Sequence, residues 1–146
     1  FPDPADPTEY HPRIVEAGGI DLFILASGAS DGHVAFNPPG SAIDSPCRVV
    51  QLSGATRRDN MQTFPAFRSL DEVPTHGVTV GIATIIELSR AVAMIIHGEH
   101  KRDAVERLNR CRGYDPTWPA SCVLACRNAQ VHLDRAAAGD LGPTKG

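Results

Sequence analysis

The stretches Ile20–Ala26 (Ile-Asp-Leu-Phe-Ile-Leu-Ala) and Ala91–Ile96 (Ala-Val-Ala-Met-Ile-Ile) constrain the fold of this chain more than any other feature. Each is nearly continuous in apolar residues. Each stops at a glycine-containing loop, Ser27-Gly-Ala-Ser-Asp-Gly in one case and His97-Gly in the other. A strand with one wet face alternates apolar and polar residues. A strand covered on both faces does not, and such strands belong mainly to parallel sheets flanked by helices. Both runs are far shorter than the ~20 residues that a membrane-spanning helix requires.

The rest of the chain fits around these two strands. Arg48–Leu52, Val78–Gly81 and Ala129–Leu133 read as further strands. Arg13–Ala17, Ala55–Gln62, Ile82–Ser89, Glu99–Arg110 and Ala120–Ala125 read as helices, the first ended by Gly18-Gly19. Glu99–Arg110 is the best amphipathic segment, with Ala104, Val105 and Leu108 opposite Lys101, Arg102, Glu106 and Arg107. Thr63–Pro74, broken by Pro65 and Pro74, reads as a loop. Strands alternating with helices predict an α/β fold with a mainly parallel sheet and flanking helices. Residues 1–19, with Pro2, Pro4, Pro7 and Pro12, are expected to form an extended arm and a short helix. Residues 20–135 form the α/β domain, and residues 136–146 a flexible tail. The first residue is Phe1 rather than Met, so the expectation is either that the beginning has been removed or that the sequence is part of a longer product.

Charge and composition exclude several functions. A formal net charge of -3 gives no cationic excess to neutralise phosphates along a polymer, which argues against nucleic acid. The proline- and aspartate-rich start has neither the basic beginning nor the apolar core of a signal peptide. The expectation is a cytoplasmic protein with no membrane partner. Cys47, Cys111, Cys122 and Cys126 contain no C-x-x-C pair and read as reduced thiols. Among the histidines only His97 and His100 are close in sequence, with no further ligands at a zinc-like spacing, so no metal site is expected.

In open α/β sheets, ligands bind beyond the carboxyl ends of the strands. Two loops fall there. In Ser27–His33, small residues allow a ligand close to the backbone, and Asp31 and His33 flank Gly32. A carboxylate beside an imidazole fixes its tautomer and raises its basicity, which suits proton transfer near neutral pH. The second loop, His97–Lys101, puts a lysine in the first turn of a helix, where it can meet a phosphate. Arg57 and Arg58 are a third candidate, whereas Met61 and Met94 read as packing residues. On spacing alone, the first loop fits a plain surface turn as well, and the second a solvated helix start.

The longer pattern is more specific. Ile20-Asp-Leu-Phe-Ile-Leu, then Asp31-Gly-His-Val-Ala-Phe-Asn-Pro-Pro-Gly-Ser41, resembles the glucosamine-6-phosphate deaminase family, with its Asp-Gly-His-Ile-Ala/Gly-Phe-Asn-Glu-Pro-Gly-Ser signature. The similarity continues through Val49–Leu52, Thr56-Arg57 with Asn60, Val73-Pro74, Val78-Thr-Val-Gly81, Gly98-x-x-Lys101 and Ala120-Ser-Cys122. The 6-phosphogluconolactonases share Asp-Gly-His but lack the Phe-Asn-x-Pro-Gly that follows. The galactosamine-6-phosphate deaminase branch is similar around Cys47–Leu52.

The resemblance implies a Rossmann-like domain, of which this chain would be the second part. It also implies conversion of glucosamine 6-phosphate and water to fructose 6-phosphate and ammonia, without metal or organic cofactor. The partner is then a small hexosamine phosphate, and homo-oligomers are compatible with the family. Carried over by position, His33 is the ring-opening acid–base and Asp31 the carboxylate that orients it. Gly32 permits the turn, and Lys101 binds the sugar phosphate. Ser41 and Arg48 match positions of an allosteric phosphate site in hexameric bacterial members. There are departures. The family's relay glutamate is Pro38 here, and a phosphate-binding arginine is Gln62. Two further allosteric positions are Val50 and Gln51, and a loop glycine is Ala29. The family's Ser/Gly/Thr phosphate loop and Asp-Glu-Tyr proton-shuttle motif have no counterpart in the 146 residues. A non-catalytic hexose-phosphate-binding remnant is the alternative these departures raise.

Overall fold

The computed structural model describes residues 2–139. Strand β1 (Phe23–Leu25) pairs in parallel with β4 (Val92–Ile96), in the register Phe23↔Val92 to Leu25↔Met94. On its other side β4 pairs in parallel with β5 (Ala129–Leu133), from Val92↔Ala129 to Ile96↔Leu133. The two apolar runs are therefore neighbours in one parallel sheet of order β1-β4-β5. A separate antiparallel pair joins β2 (Arg48–Gln51) to β3 (His76–Thr79), from Arg48↔Thr79 to Gln51↔His76. Between them lies α2 (Gly54–Thr63) and a 3-10 turn at Leu70–Glu72, which bring the chain back in the opposite direction.

Helices α3 (Ile82–Leu88) and α4 (Arg102–Arg110) pack on the sheet together with a 3-10 segment at Pro119–Ala125. The core they enclose joins Leu25, Val92, Met94 and Ile96 to Ile82, Ile85, Ala104, Val105, Leu108, Trp118 and Val123. Helix α4 is preceded by a 3-10 turn at Glu99–Lys101, so the expected single helix is built in two pieces. Ala120–Ala125 forms tighter 3-10 bonds, such as Ser121 N–H to the Trp118 carbonyl at 2.8 Å, instead of an α-helix.

Three expectations need correction. The apolar runs suggested burial on both faces, yet the alternate residues Ile24 and Ile95 are 62% and 46% exposed. The Leu25, Met94 and Ile96 face is the one that packs into the core with α3 and α4. The proline-rich start also holds more order than expected. Pro7–Glu9 is a 3-10 turn, and α1 runs over Tyr10–Glu16 with Pro12 in its first turn, where its missing N–H is not needed. Gly18 and Gly19 end α1 at φ 90° and 91°, and His11 of α1 shares a 2.9 Å hydrogen bond with Thr84 of α3. At the other end, α5 (Arg135–Ala138) extends order past Ala136. Asp134 caps it by accepting from Ala137 N–H at 2.8 Å, and Ala137 is buried in the core. The remainder of the expected tail, 140–146, lies outside the described residues.

The covered and open faces should respond differently to truncation. Ile85→Ala, in the core, should cost ~2–5 kcal/mol. Ile24→Ala, on the open face, should cost under ~0.5 kcal/mol. Urea unfolding of the two variants checks this. Equal losses would mean that the Ile24 face is covered in solution.

Candidate active site

Because β1 and β4 run in parallel, the loops that follow them emerge at the same sheet edge. After β1, Ser27 and Val34 bridge across a tight loop, and Gly28 N–H donates to the His33 carbonyl at 2.8 Å. Two glycines make the loop possible. A Cβ on Gly28 would lie 2.2 Å from His33 Nδ1. Gly32 has φ +65°, a region that side chains disfavour, and a Cβ there would lie 2.2 Å from Trp118 Cδ2. The Gly32 carbonyl in turn accepts from Ala120 N–H at 2.8 Å, fixing the loop to the 3-10 segment.

This turn brings Asp31 and His33 together. Asp31 Oδ1 accepts from His33 Nδ1 at 2.7 Å and from His33 backbone N–H at 3.1 Å. Oδ2 accepts from the Ser53 hydroxyl at 3.0 Å. Both side chains are largely buried, 12% exposed for His33 and 16% for Asp31. Burial alone would push the Asp31 carboxyl upward. The hydrogen bonds from the His33 ring and backbone, the His33 charge and the Ser53 hydroxyl outweigh it and hold Asp31 down at about 2. Asp31 is therefore ionised near neutral pH and can only accept. The proton in the 2.7 Å contact then belongs to His33 Nδ1, which leaves Nε2 as the free nitrogen. Among the described residues Nε2 has no hydrogen-bond partner. A neutral imidazole in this state can take a proton at Nε2, and its protonated form can return it.

The second loop closes the same cleft. Lys101 Nζ donates to the Ser27 carbonyl at 2.7 Å, reaching from the turn after β4 to the loop after β1. Burial lowers the Lys101 pKa, an effect opposed by the charges of Asp59 and Asp31. The cleft has a volume of about 740 Å³, and its lining includes Gly28, His33, Phe36, Asn60, Gln62 and Lys101. Asp31, His33, Gly32 and Lys101 are thus gathered into one region.

Ser41 and Arg48 are brought together elsewhere, and neither lines the cleft. Arg48 donates to Ser41 Oγ and to Asn37 Oδ1, both at 2.9 Å. The Ser41 carbonyl accepts from Tyr114 Oη at 2.6 Å. Asn37 is fully buried and also donates to the Val34 and Val80 carbonyls. In this structure Arg48 therefore ties the turn after His33 to β2. Arg57 serves α2 in a similar way, donating to the Val73 and Leu70 carbonyls, and Arg58 is exposed. Met94 is a core residue, as expected. Among the described residues no three His, Cys, Asp or Glu side chains converge as metal ligands would. Ser53 and Thr56, which hold the pair from behind, carried no assignment from the sequence. The available signal was Ser53 three residues before Thr56 at the start of a helix, a capping pattern.

Fold and site together define a Rossmann-like α/β protein with a hydrogen-bonded carboxylate–imidazole pair and a lysine at the carboxyl ends of adjacent parallel strands. No protein-family model matches the chain. The glucosamine-6-phosphate deaminase of Mycolicibacterium smegmatis is 42% identical over 138 residues, 94% of this chain and 51% of that protein. A solved structure, described as a monomeric glucosamine-6-phosphate deaminase and missing link of the NagB superfamily, aligns with a TM-score of 0.82 and 34% identity. That alignment covers 92% of this chain and 53% of the other. The 6-phosphogluconolactonase of Leishmania guyanensis, at a TM-score of 0.63 and 19% identity over 95% of this chain and 53% of its own, shares the fold. Over nearly all of its length the chain is similar to glucosamine-6-phosphate deaminases, in sequence and in fold. It spans about half the length of the curated relatives it matches.

The depressed Asp31 carboxyl sets a pH test with a definite sign. A carboxyl lowered from 3.8 to about 2 stabilises the fold above the ordinary value, and that contribution is lost as pH falls through the folded one. The difference is worth about 2 kcal/mol. Asp31→Asn should therefore lower stability by roughly this amount near pH 5 and by little near pH 2 in urea unfolding. An equal loss at both pH values would contradict the ionised, hydrogen-bonded carboxylate.

Proposed function

We propose that this chain contributes the ring-opening and phosphate-binding half of a glucosamine-6-phosphate deaminase site. The overall reaction converts glucosamine 6-phosphate and water to fructose 6-phosphate and ammonia. The observation that carries the reading is the Asp31-held His33 in one cleft with Lys101. Ring opening needs a proton taken from the anomeric hydroxyl and one delivered to the ring oxygen. We assign both exchanges to His33 Nε2, a reading supported by Asp31 occupying the other ring nitrogen. Lys101 supplies the cation for the sugar phosphate, and the small side chains of the Ser27–His33 loop let the sugar lie against the backbone. Gln62 lines the cleft as a neutral hydrogen-bonding group and leaves the charge to Lys101.

The proton transfer between C2 and C1 and the hydrolysis of the resulting imine complete the family reaction. By the resemblance, the carboxylate for that transfer lies in a motif these residues do not contain. The groups of this chain are accordingly assigned to binding and ring opening. We place the protein in the cytoplasm, where thiols such as Cys47 and Cys122 stay reduced. Among the described residues no helix is long and apolar enough to cross a membrane.

Ring opening can be read directly as exchange between the α and β anomers of glucosamine 6-phosphate by NMR, with ammonia release followed in the same sample. The chain should accelerate anomer exchange, and His33→Ala should reduce the acceleration ~10²–10⁴-fold. Lys101→Ala should raise the half-saturating concentration ~10–100-fold, the worth of a charged hydrogen bond. No acceleration by the parent chain at saturating sugar phosphate would overturn the assignment.

A further inference from the structure

We propose that Ser53, backed by Thr56, is a positioning residue that sets the orientation of the Asp31 carboxylate and, through it, of the His33 ring. The inference rests on the reading of His33 as the acid–base group, and it follows from counting protons. An ionised Asp31 only accepts, and its Oδ1 is occupied by both His33 N–H groups. Oδ2 accepts the single Ser53 hydroxyl proton at 3.0 Å. With that proton committed, Ser53 Oγ can only accept. It does so from Thr56 N–H at 3.1 Å and from the Thr56 hydroxyl at 3.0 Å. The Thr56 proton is then also committed. Its remaining lone pair faces His33 Nδ1 at 3.3 Å, a second acceptor for the same Nδ1 proton.

The array consequently has one direction. Protons point from Thr56 to Ser53 to Asp31, and from His33 to Asp31. Reversing the Ser53 hydroxyl leaves Asp31 Oδ2 without its donor. The anchor is also firm. Ser53 is the N-cap of α2, Thr56 is buried, and Arg57 fastens the same helix to the Val73 carbonyl. The torsion at a carboxylate is soft and nearly two-fold. Among the described residues, Oδ2 is the only oxygen of Asp31 held from outside its own loop, so Ser53 supplies the outside restraint on that torsion. The other charged groups near Asp31 are His33 on the same loop and Lys101 after β4, with Asp59 of α2 facing Lys101. The same hydroxyl links the pair to α2, whose Asn60 and Gln62 line the cleft.

A helix cap and a positioning residue can be separated, because glycine caps a helix nearly as well as serine yet has no hydroxyl. The experiment compares Ser53→Gly, Ser53→Ala and Ser53→Thr in the intact chain. It follows the Asp31 carboxyl by ¹³C NMR titration and anomer exchange of glucosamine 6-phosphate in parallel. Ser53→Gly should move the Asp31 titration upward by about half a pH unit or more, since a hydrogen bond to the charged form is lost. It should also lower the exchange rate constant about 3- to 10-fold at unchanged half-saturation. Ser53→Thr should restore both. If Asp31 titrates as in the parent while Ser53→Ala lowers only the stability, Ser53 is a helix cap and the proposal is wrong. A parent chain without anomer exchange would remove the functional reading of His33. The carboxyl titration would still decide whether Ser53 holds Asp31.

Discussion

The parallel pairing of β1 with β4 is the constraint on which the site depends. Alignment of Phe23 with Val92 and of Leu25 with Met94 brings the two strand ends to one edge. The loop after β1 can then present Asp31 and His33 where the turn after β4 presents Lys101. The 2.7 Å bond from Lys101 Nζ to the Ser27 carbonyl is a direct product of this register. A slip of one residue would exchange buried Met94 and Ile96 for Ile95 and displace Lys101 from the loop. The core of Ile82, Ile85, Val105 and Leu108 specifies the register because it accepts only one face of β4.

Around this edge, charge is arranged in layers. The carboxylate is held by donors on both oxygens and remains ionised despite burial. The imidazole is left with one nitrogen committed and one open. The lysine is partly desolvated but stays close to two carboxylates. Buried charges need such pairing, since an isolated one would neutralise or be expelled. Glycine at positions 28 and 32 is a steric condition for the arrangement, because a side chain at either would meet His33 or Trp118. The protein spans about half the length of the curated relatives it matches, and within that half the carboxylate, the imidazole and the lysine meet at one edge.

Much of this was readable from the residues. The two apolar runs announced the parallel strands, and the loops after them held the candidate residues. Ala104, Val105 and Leu108 marked the buried side of α4 and are all in the core. The antiparallel β2–β3 pairing was less accessible, since short strands such as Arg48–Gln51 carry no mark of their direction. Exposure of Ile24 and Ile95 was also hidden, because hydrophobicity reports what a strand prefers and not what covers it. Order around Pro12 was masked by treating proline as a breaker where a first turn tolerates it. Ser53 and Thr56 lie more than twenty positions from the carboxylate they hold, and a capping serine looks alike whether or not a carboxylate sits beyond it.

The most direct test is a ¹⁵N NMR titration of the chain with glucosamine 6-phosphate, reading which backbone amides respond. The chain has a second cleft of about 630 Å³ lined by Asp103, Arg107, Arg110 and Tyr114, which provides an internal control. Responses should concentrate in Ser27–His33, in the Gly98–Lys101 turn and along Thr56–Thr63 of α2. Responses centred on Arg107–Tyr114, or none at millimolar sugar phosphate, would contradict the placement of the site at the β1–β4 edge.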